Sequence, residues 1–216
     1  DVHQANAQGI RVVWTPEANA ESVSQHAIAL MLALSNKLIH ADHGIRSGNF
    51  EKRMTWTSME LQGRTLGIIG LGRIGSLLAL RMKTFNMNVG FYDPYVKTGK
   101  EKILGITKFN SIKELTSSCD IISINCTLTK ETNCLIDKNF IKSLNKGSIL
   151  INTARGKIIR QLDDLYFGIK NKIIAGIGLD VLPDEPPKKS EKLIQLWKNK
   201  NDPLSLRIII NPHSGY

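Results

Sequence analysis

The chain has 216 residues, of which 42% are apolar and 22% charged, and its formal net charge is +10 at pH 7. This composition is typical of a globular chain and allows one α/β domain or two small ones. There is no uninterrupted apolar run of 18 residues and no signal-peptide pattern at the start, so we expect a cytoplasmic protein with no membrane partner. The Lys residues are scattered and accompany no nucleic-acid-binding motif, which predicts a solvated surface and no nucleic-acid partner.

The first part of the chain predicts one strand and one long helix. Residues 10–13 (IRVV) indicate a short strand that runs into a turn at residues 15–21. Residues 21–46 carry apolar side chains at helical spacing, and Gly48 offers a stop. A helix of this length, roughly 39 Å, is too long for one small domain to cover, so we expect it to form a homodimer interface. The polar residues 49–64 predict an irregular arm.

From Thr65 onward, short apolar runs alternate with amphipathic stretches. The predicted strands are 65–70, 88–93, 120–125, 147–152, 173–181 and 207–211, and the predicted helices are 73–86, 111–118, 137–145 and 160–171. Residues 183–206 predict a long loop with one short helix. Continuous apolar strands alternating with helices indicate an α/β fold of the Rossmann type, a doubly wound parallel sheet with helices on both faces.

The first of these strands leads into a glycine motif. Gly70, Gly72 and Gly75 stand in G-x-G-x-x-G spacing between a strand and a helix, and Asp93 ends the next strand. Such a turn lets the backbone approach a pyrophosphate, which the N–H groups of Arg73 and Ile74 would bind at the helix start. Asp93 would accept both ribose hydroxyls and repel a 2′-phosphate, so the motif predicts NAD as the cofactor. A purely structural glycine turn is the weaker alternative.

Three ionisable residues follow predicted parallel strands and a fourth, Asp180, lies at the end of one, at the edge where ligands bind in open α/β sheets. They are Arg155, Asp180, Glu185 and His213. Each alone is compatible with an ordinary loop residue. The three cysteines, Cys119, Cys126 and Cys134, lack both redox and zinc spacing, so we expect reduced thiols and no metal.

The motifs together resemble one family. The segments GIIGLGRIG, FYDPY, INTARG, GLDVLPDEPP and INPHSG are similar, in order and spacing, to the D-isomer-specific 2-hydroxyacid dehydrogenases. The resemblance implies hydride transfer between NAD(H) and a D-2-hydroxyacid or 2-keto acid. It assigns Arg155 to the substrate carboxylate, His213 to proton transfer and Glu185 to support of the histidine. It also implies cofactor contacts from Asp180, at the nicotinamide carboxamide, and from a further set: Thr127, Thr153, Ala154, Arg155, His213 and Gly215.

The chemistry of these residue types agrees with the implied roles. Reduction of a ketone needs a proton at oxygen, which a protonated His213 would supply, and a neighbouring carboxylate favours that form. Arg155 can hold a carboxylate with two parallel hydrogen bonds.

The resemblance also implies a domain plan. The chain corresponds to a cofactor domain, with residues 1–16 as an entry segment near the hinge, 21–64 as the long helix and arm, and 65–216 as the dinucleotide-binding core. The substrate domain, which would define the substrate, is expected to lie outside this chain. Two positions depart from the family pattern, Asn125 in place of His and Thr127 in place of Pro. His26, preceded by Gln25, is expected to be a packed helix residue and not a catalytic one.

Two alternatives remain. Some relatives act as NADH-sensing corepressors, and such a binding protein could keep the same residues. An enzyme of another chemistry on this fold, such as a formate dehydrogenase, is disfavoured because those relatives usually carry Gln where this chain has Glu185.

Overall fold

A computed structural model describes residues 2–13, 15 and 18–215, except for the side chains of Arg53 and Thr55. Within these residues, seven strands form one parallel sheet in the order β3-β2-β1-β4-β5-β6-β7. The strands are β1 Thr65–Ile69, β2 Asn88–Tyr92, β3 Thr107–Lys108, β4 Ile121–Ile124, β5 Ser148–Asn152, β6 Ile174–Leu179 and β7 Ile208–Ile210. The α-helices are α1 Val2–Ala7, α2 Ala20–Ser35, α3 Leu38–Arg46, α4 Arg73–Thr84, α5 Lys100–Leu104, α6 Ile112–Ser118, α7 Lys138–Ser143, α8 Leu162–Lys170 and α9 Lys192–Lys198. No helix in this described part is long and apolar enough to cross a membrane.

The sheet is covered on both faces, and the predicted Rossmann-type fold is confirmed. One face packs against α2 and α4 through a buried cluster that includes Met31, Leu78 and Met82. The other face packs against α6, α7, α8 and α9. Because both faces are buried, the central strands are mostly apolar: all four residues of β4 are buried, and only Ser123 among them is polar.

The predicted strands and helices from Thr65 onward are found with each end within two residues. The predicted long loop 183–206 contains one α-helix, α9, as expected. Several short elements were not predicted, among them α1, α5 and β3; β3 is the edge strand of the sheet and pairs with β2 over only two residues. A pairing of that length leaves no periodicity in the sequence that could reveal it.

Three predictions for the first part of the chain are wrong: the strand 10–13, the irregular arm 49–64 and the single helix 21–46. Residues 10–13 form no strand, and Val12 and Val13 are 43% and 73% exposed. A β-branched run forms a strand only where a neighbour can pair with it. The predicted turn 15–21 lies partly outside the described residues. The arm 49–64, predicted as irregular, contains a 3₁₀ helix at Phe50–Trp56.

The single helix predicted for residues 21–46 is two helices, α2 and α3. Ser35 and Asn36 both donate side-chain hydrogen bonds to the carbonyl of Leu32, and Lys37 has a left-handed backbone at φ 51°. Such side-chain bonds compete with the helical ladder, and a left-handed residue ends it. At 16 residues, α2 is about 24 Å long, short enough for this domain to cover.

Candidate functional site

Most of the predicted site residues line a cleft at the carboxyl ends of the strands; Gly75 packs behind the glycine turn, and Glu185 contacts His213 from outside the lining. The strand order reverses between β1 and β4, which is where open α/β sheets bind ligands. Two cavities of about 550 and 470 Å³ meet there and share Asn125, Cys126 and Thr127. Gly70, Gly72 and Asp93 line the first, and the second is lined by Arg73, Ile74, Thr127, Thr153, Ala154, Arg155, Asp180, His213 and Gly215. The folded chain therefore brings the two halves of the predicted site into one continuous cleft.

The glycine motif forms a tight cradle between β1 and α4. Gly70 has φ +93°, and a Cβ there would lie 2.6 Å from the backbone of Cys126. A Cβ on Gly75 would lie 2.3 Å from the Gly70 carbonyl oxygen. A Cβ on Gly72, in contrast, would meet no atom within 4 Å and would project into open space. Gly70 and Gly75 are thus required by packing, whereas Gly72 leaves room for a ligand beside the first N–H groups of α4.

Asp93 lies beside this cradle and is bound to its backbone. Its two carboxylate oxygens accept hydrogen bonds from Leu71 N and Tyr95 N, both at 2.9 Å. Each oxygen keeps one lone pair for a further donor, such as a ribose hydroxyl. Lys100 Nζ donates to the Leu71 carbonyl at 3.0 Å, a contact that the sequence did not suggest because α5 was not predicted.

The opposite wall of the first cavity is polar as well. The Tyr95 hydroxyl donates to Glu131, and this hydrogen bond raises the pKa of Tyr95. The contact joins the two rims of the cleft beside Asp93. Sequence analysis missed it, because the two residues lie on different loops and belong to no motif.

His213 and Glu185 are brought together, as predicted. His213 Nδ1 lies 3.3 Å from Glu185 Oε2, with both side chains about half exposed. The other oxygen of Glu185 accepts from Leu182 N at 2.9 Å, which fixes the carboxylate on its own loop. A carboxylate held in this way orients an imidazole for proton transfer.

Arg155 lies in the same cavity, on the turn after β5. Its guanidinium is exposed and donates to the Ala154 carbonyl at 2.6 Å. The fully buried Asn152 braces this turn, because its side chain accepts from Ala154 N and donates to the Arg155 carbonyl. A Cβ on Gly156 would lie 1.8 Å from the Leu182 carbonyl oxygen, so the Arg155 turn abuts the Glu185 loop. Asn152 is a support that the motif INTARG contains but sequence reasoning did not single out.

Asp180 is 2% exposed and lines the same cavity at the end of β6. Its carboxylate accepts from Ser214 N at 2.9 Å and from Gly215 N at 3.0 Å, directly after His213. His26 Nε2 lies 3.3 Å from Asp180 Oδ1. His26 is therefore a packed residue of α2, as expected, but it packs at the edge of the site, which its helical spacing did not reveal.

The two positions that depart from the family pattern also line the cleft. The Asn125 side chain donates to Ser123 Oγ at 3.0 Å. Within the described part of the chain, Asn125 Oδ1 and Thr153 Oγ1 are buried without a hydrogen-bond partner. Buried polar atoms in this condition are usually satisfied by a ligand or a water. Cys126 also lines the cleft, and burial raises the pKa of its thiol to about 11, so this residue is neutral.

The lining fits a dinucleotide. The cradle leaves space at Gly72, Asp93 retains acceptor capacity, and the lining residues Asn125 and Thr153 each have a buried polar atom without a partner. Among the residues described, no group of three or more His, Cys, Asp or Glu side chains could hold a metal ion.

The chain is similar to several known dehydrogenases. Residues 28–215 match the family described as D-isomer specific 2-hydroxyacid dehydrogenase, NAD binding domain. The D-3-phosphoglycerate dehydrogenase of Archaeoglobus fulgidus is 39% identical over 196 residues, which cover 91% of this chain and 37% of that protein. The glyoxylate reductase of Korarchaeum cryptofilum is 35% identical, over all of this chain and 62% of its own length. The chain thus spans less than two thirds of these relatives.

A solved structure shows the same similarity. The D-lactate dehydrogenase of Aquifex aeolicus, whose structure contains NAD and lactic acid, superposes with a TM-score of 0.82 at 33% identity. The superposition covers all of this chain and 66% of that one. On the family match and these identities, the chain belongs to the D-isomer specific 2-hydroxyacid dehydrogenases, as their NAD-binding domain.

Proposed function

We propose that the protein transfers a hydride between NAD(H) and a D-2-hydroxyacid or 2-keto acid. The observation that carries this proposal is the His213–Glu185 contact at 3.3 Å, in the same cavity as Arg155 and continuous with the glycine cradle. An acid/base group, a carboxylate-binding group and a cofactor site within one cleft are what such a reaction requires.

Each residue has a separate task in this proposal. Arg155 binds the substrate carboxylate through two hydrogen bonds and so orients the neighbouring carbon. His213 gives a proton to the substrate oxygen in reduction and takes it in oxidation. Glu185 holds the imidazole in place from its bond to Leu182 N. NAD, when bound, accepts or supplies the hydride.

The cofactor is proposed to contact the residues that line the cleft. Gly70, Gly72, Gly75 and the N–H groups of Arg73 and Ile74 face the pyrophosphate, and Asp93 binds the adenosine ribose. Asp180 is proposed to reach the nicotinamide carboxamide with the acceptor capacity left after its two backbone bonds. Thr127, Thr153, Ala154 and Gly215 line the remaining path.

The test is oxidation of NADH by the intact protein with a panel of 2-keto acids, including pyruvate, hydroxypyruvate, 3-phosphohydroxypyruvate and glyoxylate. Turnover with at least one of them supports the proposal. NADH binding without turnover of any 2-keto acid, combined with NADH-dependent binding of a protein partner, would favour the corepressor-like alternative. Residues from a second domain are proposed to shape the pocket for the side chain of the substrate. The panel is therefore also needed to identify which 2-keto acid the protein uses.

We further propose that the protein is a homodimer, with an interface on α3 and the following 3₁₀ helix instead of on α2. The apolar residues of α2, including Leu30 and Met31, are buried within this chain, and Arg81 of α4 binds Glu21 and Ser24 of α2. Contrary to the expectation from its sequence, α2 therefore has no apolar face left for a partner subunit. Five exposed apolar residues lie on α3 and on the 3₁₀ helix that follows it: Leu38, Ile39, Ile45, Phe50 and Met54, between 43% and 74% exposed. A cluster of this kind is typical of a protein interface.

The oligomeric state is checked by light scattering at tens of micromolar. Ile45→Glu places a charge within the exposed cluster and should shift the molecular mass toward the monomer. Ile103→Glu is the matched control, because Ile103 is 85% exposed on α5 and lies away from the cluster. A monomeric wild-type protein would contradict this part of the proposal.

A further inference from the structure

The backbone at His213 needs external support. His213 has φ +57°, a left-handed conformation that is unfavourable for a residue with a side chain. It follows β7 and precedes two residues without regular structure. The imidazole is about half exposed and contacts Glu185, which is itself about half exposed. Packing of the side chain therefore contributes little to its position, and the neighbouring backbone must be held by other groups.

Asp180 holds that backbone. The two residues directly after His213 bind Asp180 through their backbones. The N–H groups of Ser214 and Gly215 donate hydrogen bonds to separate oxygens of the Asp180 carboxylate. Asp180 is 2% exposed, and its own N–H is bound to the Asn152 carbonyl of β5 at 3.0 Å. Hydrogen bonds to a charged acceptor are about twice as strong as those between neutral groups. The loop is thus fastened to the end of the sheet.

His26 lies on the other side of this carboxylate. Its Nε2 atom is buried and lies 3.3 Å from Asp180 Oδ1, which is within ion-pair distance. The two atoms do not form a hydrogen bond. Its ring also packs against the loop, because a Cβ on Gly215 would lie 3.4 Å from the His26 ring and 2.9 Å from Asp180 Oδ2. Gly215 is therefore enclosed by the two side chains.

We propose that His26 is a positioning residue: from helix α2 it keeps the Asp180 carboxylate turned toward the 213–215 loop and so sets where His213 lies. Without His26, the buried carboxylate loses its neighbour on that side and can rotate, which weakens its hydrogen bonds to both amides. The contact itself stands on geometry alone. Its effect on catalysis rests on the proposed function.

The direct test is amide hydrogen exchange of Ser214 and Gly215, measured by NMR. His26→Phe keeps a ring of similar size and removes the nitrogens, and it should speed exchange at both amides by about tenfold, the effect of weakening one charged hydrogen bond. His26→Leu is the second variant, in case the phenyl ring does not fit. His26→Gln places an amide N–H near the position of Nε2 and should restore slow exchange.

Gln25→Leu is the matched control, because Gln25 is the exposed neighbour of His26 on α2. It should leave the Ser214 and Gly215 amides unchanged, and amides of β5 should stay protected in all variants. Unchanged exchange in the folded His26→Phe or His26→Leu protein would overturn the proposal. So would equal acceleration in Gln25→Leu, or failure of His26→Gln to restore protection.

Turnover is measured separately in the intact protein. If it oxidises NADH with a 2-keto acid, His26→Phe should lower kcat more than it raises KM for the keto acid, because His213 is misplaced and Arg155 is not. A protein without turnover would defeat the proposed function and leave the exchange result valid. The two failures are therefore distinguishable.

Discussion

The two halves of the cleft are built in different ways. The cofactor half, from Gly70 to Asp93, is one continuous strand-turn-helix-strand segment, and Asp93 is bound to the backbone of its own turn. The catalytic half joins loops that follow β5, β6 and β7, and its central pair, His213 and Glu185, is about half exposed. Backbone geometry holds the first half, whereas the second depends on a few side-chain contacts between loops. The two halves should therefore respond differently to substitution.

The largest effect is expected in the catalytic half. His213→Ala removes the proton donor and acceptor and should lower turnover by about 10²–10⁴-fold. NADH affinity should change little, because the proposed pyrophosphate and ribose contacts lie in the other half. Steady-state kinetics and NADH fluorescence titration measure the two quantities. His43→Ala, a histidine of α3, serves as the control and should retain full turnover; equal losses in both variants would refute the assignment.

A comparison of Gly75→Ala with Gly72→Ala tests the cofactor half. The added Cβ of Gly75→Ala meets a backbone oxygen at 2.3 Å, which should lower the free energy of unfolding by about 1–3 kcal/mol. The added Cβ of Gly72→Ala meets no protein atom within 4 Å, so the free energy of unfolding should stay near the wild-type value. NADH affinity should fall by about tenfold, because the methyl group enters the space for the ligand. Thermal unfolding with and without NADH separates the two effects. Wild-type NADH affinity in Gly72→Ala would show that the open space is not the pyrophosphate site.

Asp93→Ala should relax the preference for NADH over NADPH. The carboxylate repels a 2′-phosphate, so its removal should bring the two dissociation constants closer together. NADH affinity should also decline by roughly tenfold, because the variant loses hydrogen bonds to a charged group. Titrations with both cofactors measure this effect. Asp42→Ala, an exposed acid on α3, should leave both constants unchanged, and an unaltered ratio in Asp93→Ala would contradict the ribose contact.

The smallest effect concerns the three cysteines, of which Cys126 lies between the two halves of the cleft. Burial raises the pKa of Cys126 to about 11 and that of Cys119 to about 12, whereas Cys134 is exposed. A raised pKa keeps a thiol neutral below that pH, and only the thiolate reacts with iodoacetamide. At pH 8, mass spectrometry should find Cys134 alkylated well before the other two. Alkylation of Cys126 at the rate of Cys134 would show that the cleft is more open than described.

Much of the cofactor half was predictable from sequence. The strand-helix rhythm from Thr65 onward, the cradle at Gly70 and the acid at Asp93 all depend on contacts within about 30 contiguous residues. The trio Arg155, Glu185 and His213 was found through strand ends and the family resemblance. The cleft lining at Tyr95 and Glu131 was missed, because these two residues carry no motif and meet only when their loops fold over the same edge of the sheet.

The amino-acid sequence by itself determined the alternation of buried strands and amphipathic helices and the phosphate cradle, because side-chain periodicity and turn chemistry are local properties. Only the tertiary structure showed that the predicted helix 21–46 is interrupted at Lys37 and that β3 pairs at the edge of the sheet. It also showed that His26 contacts Asp180. Each of these depends on competition between local hydrogen bonds and distant packing partners. The position of a distant partner is set by the assembled sheet, and no spacing along the chain encodes it.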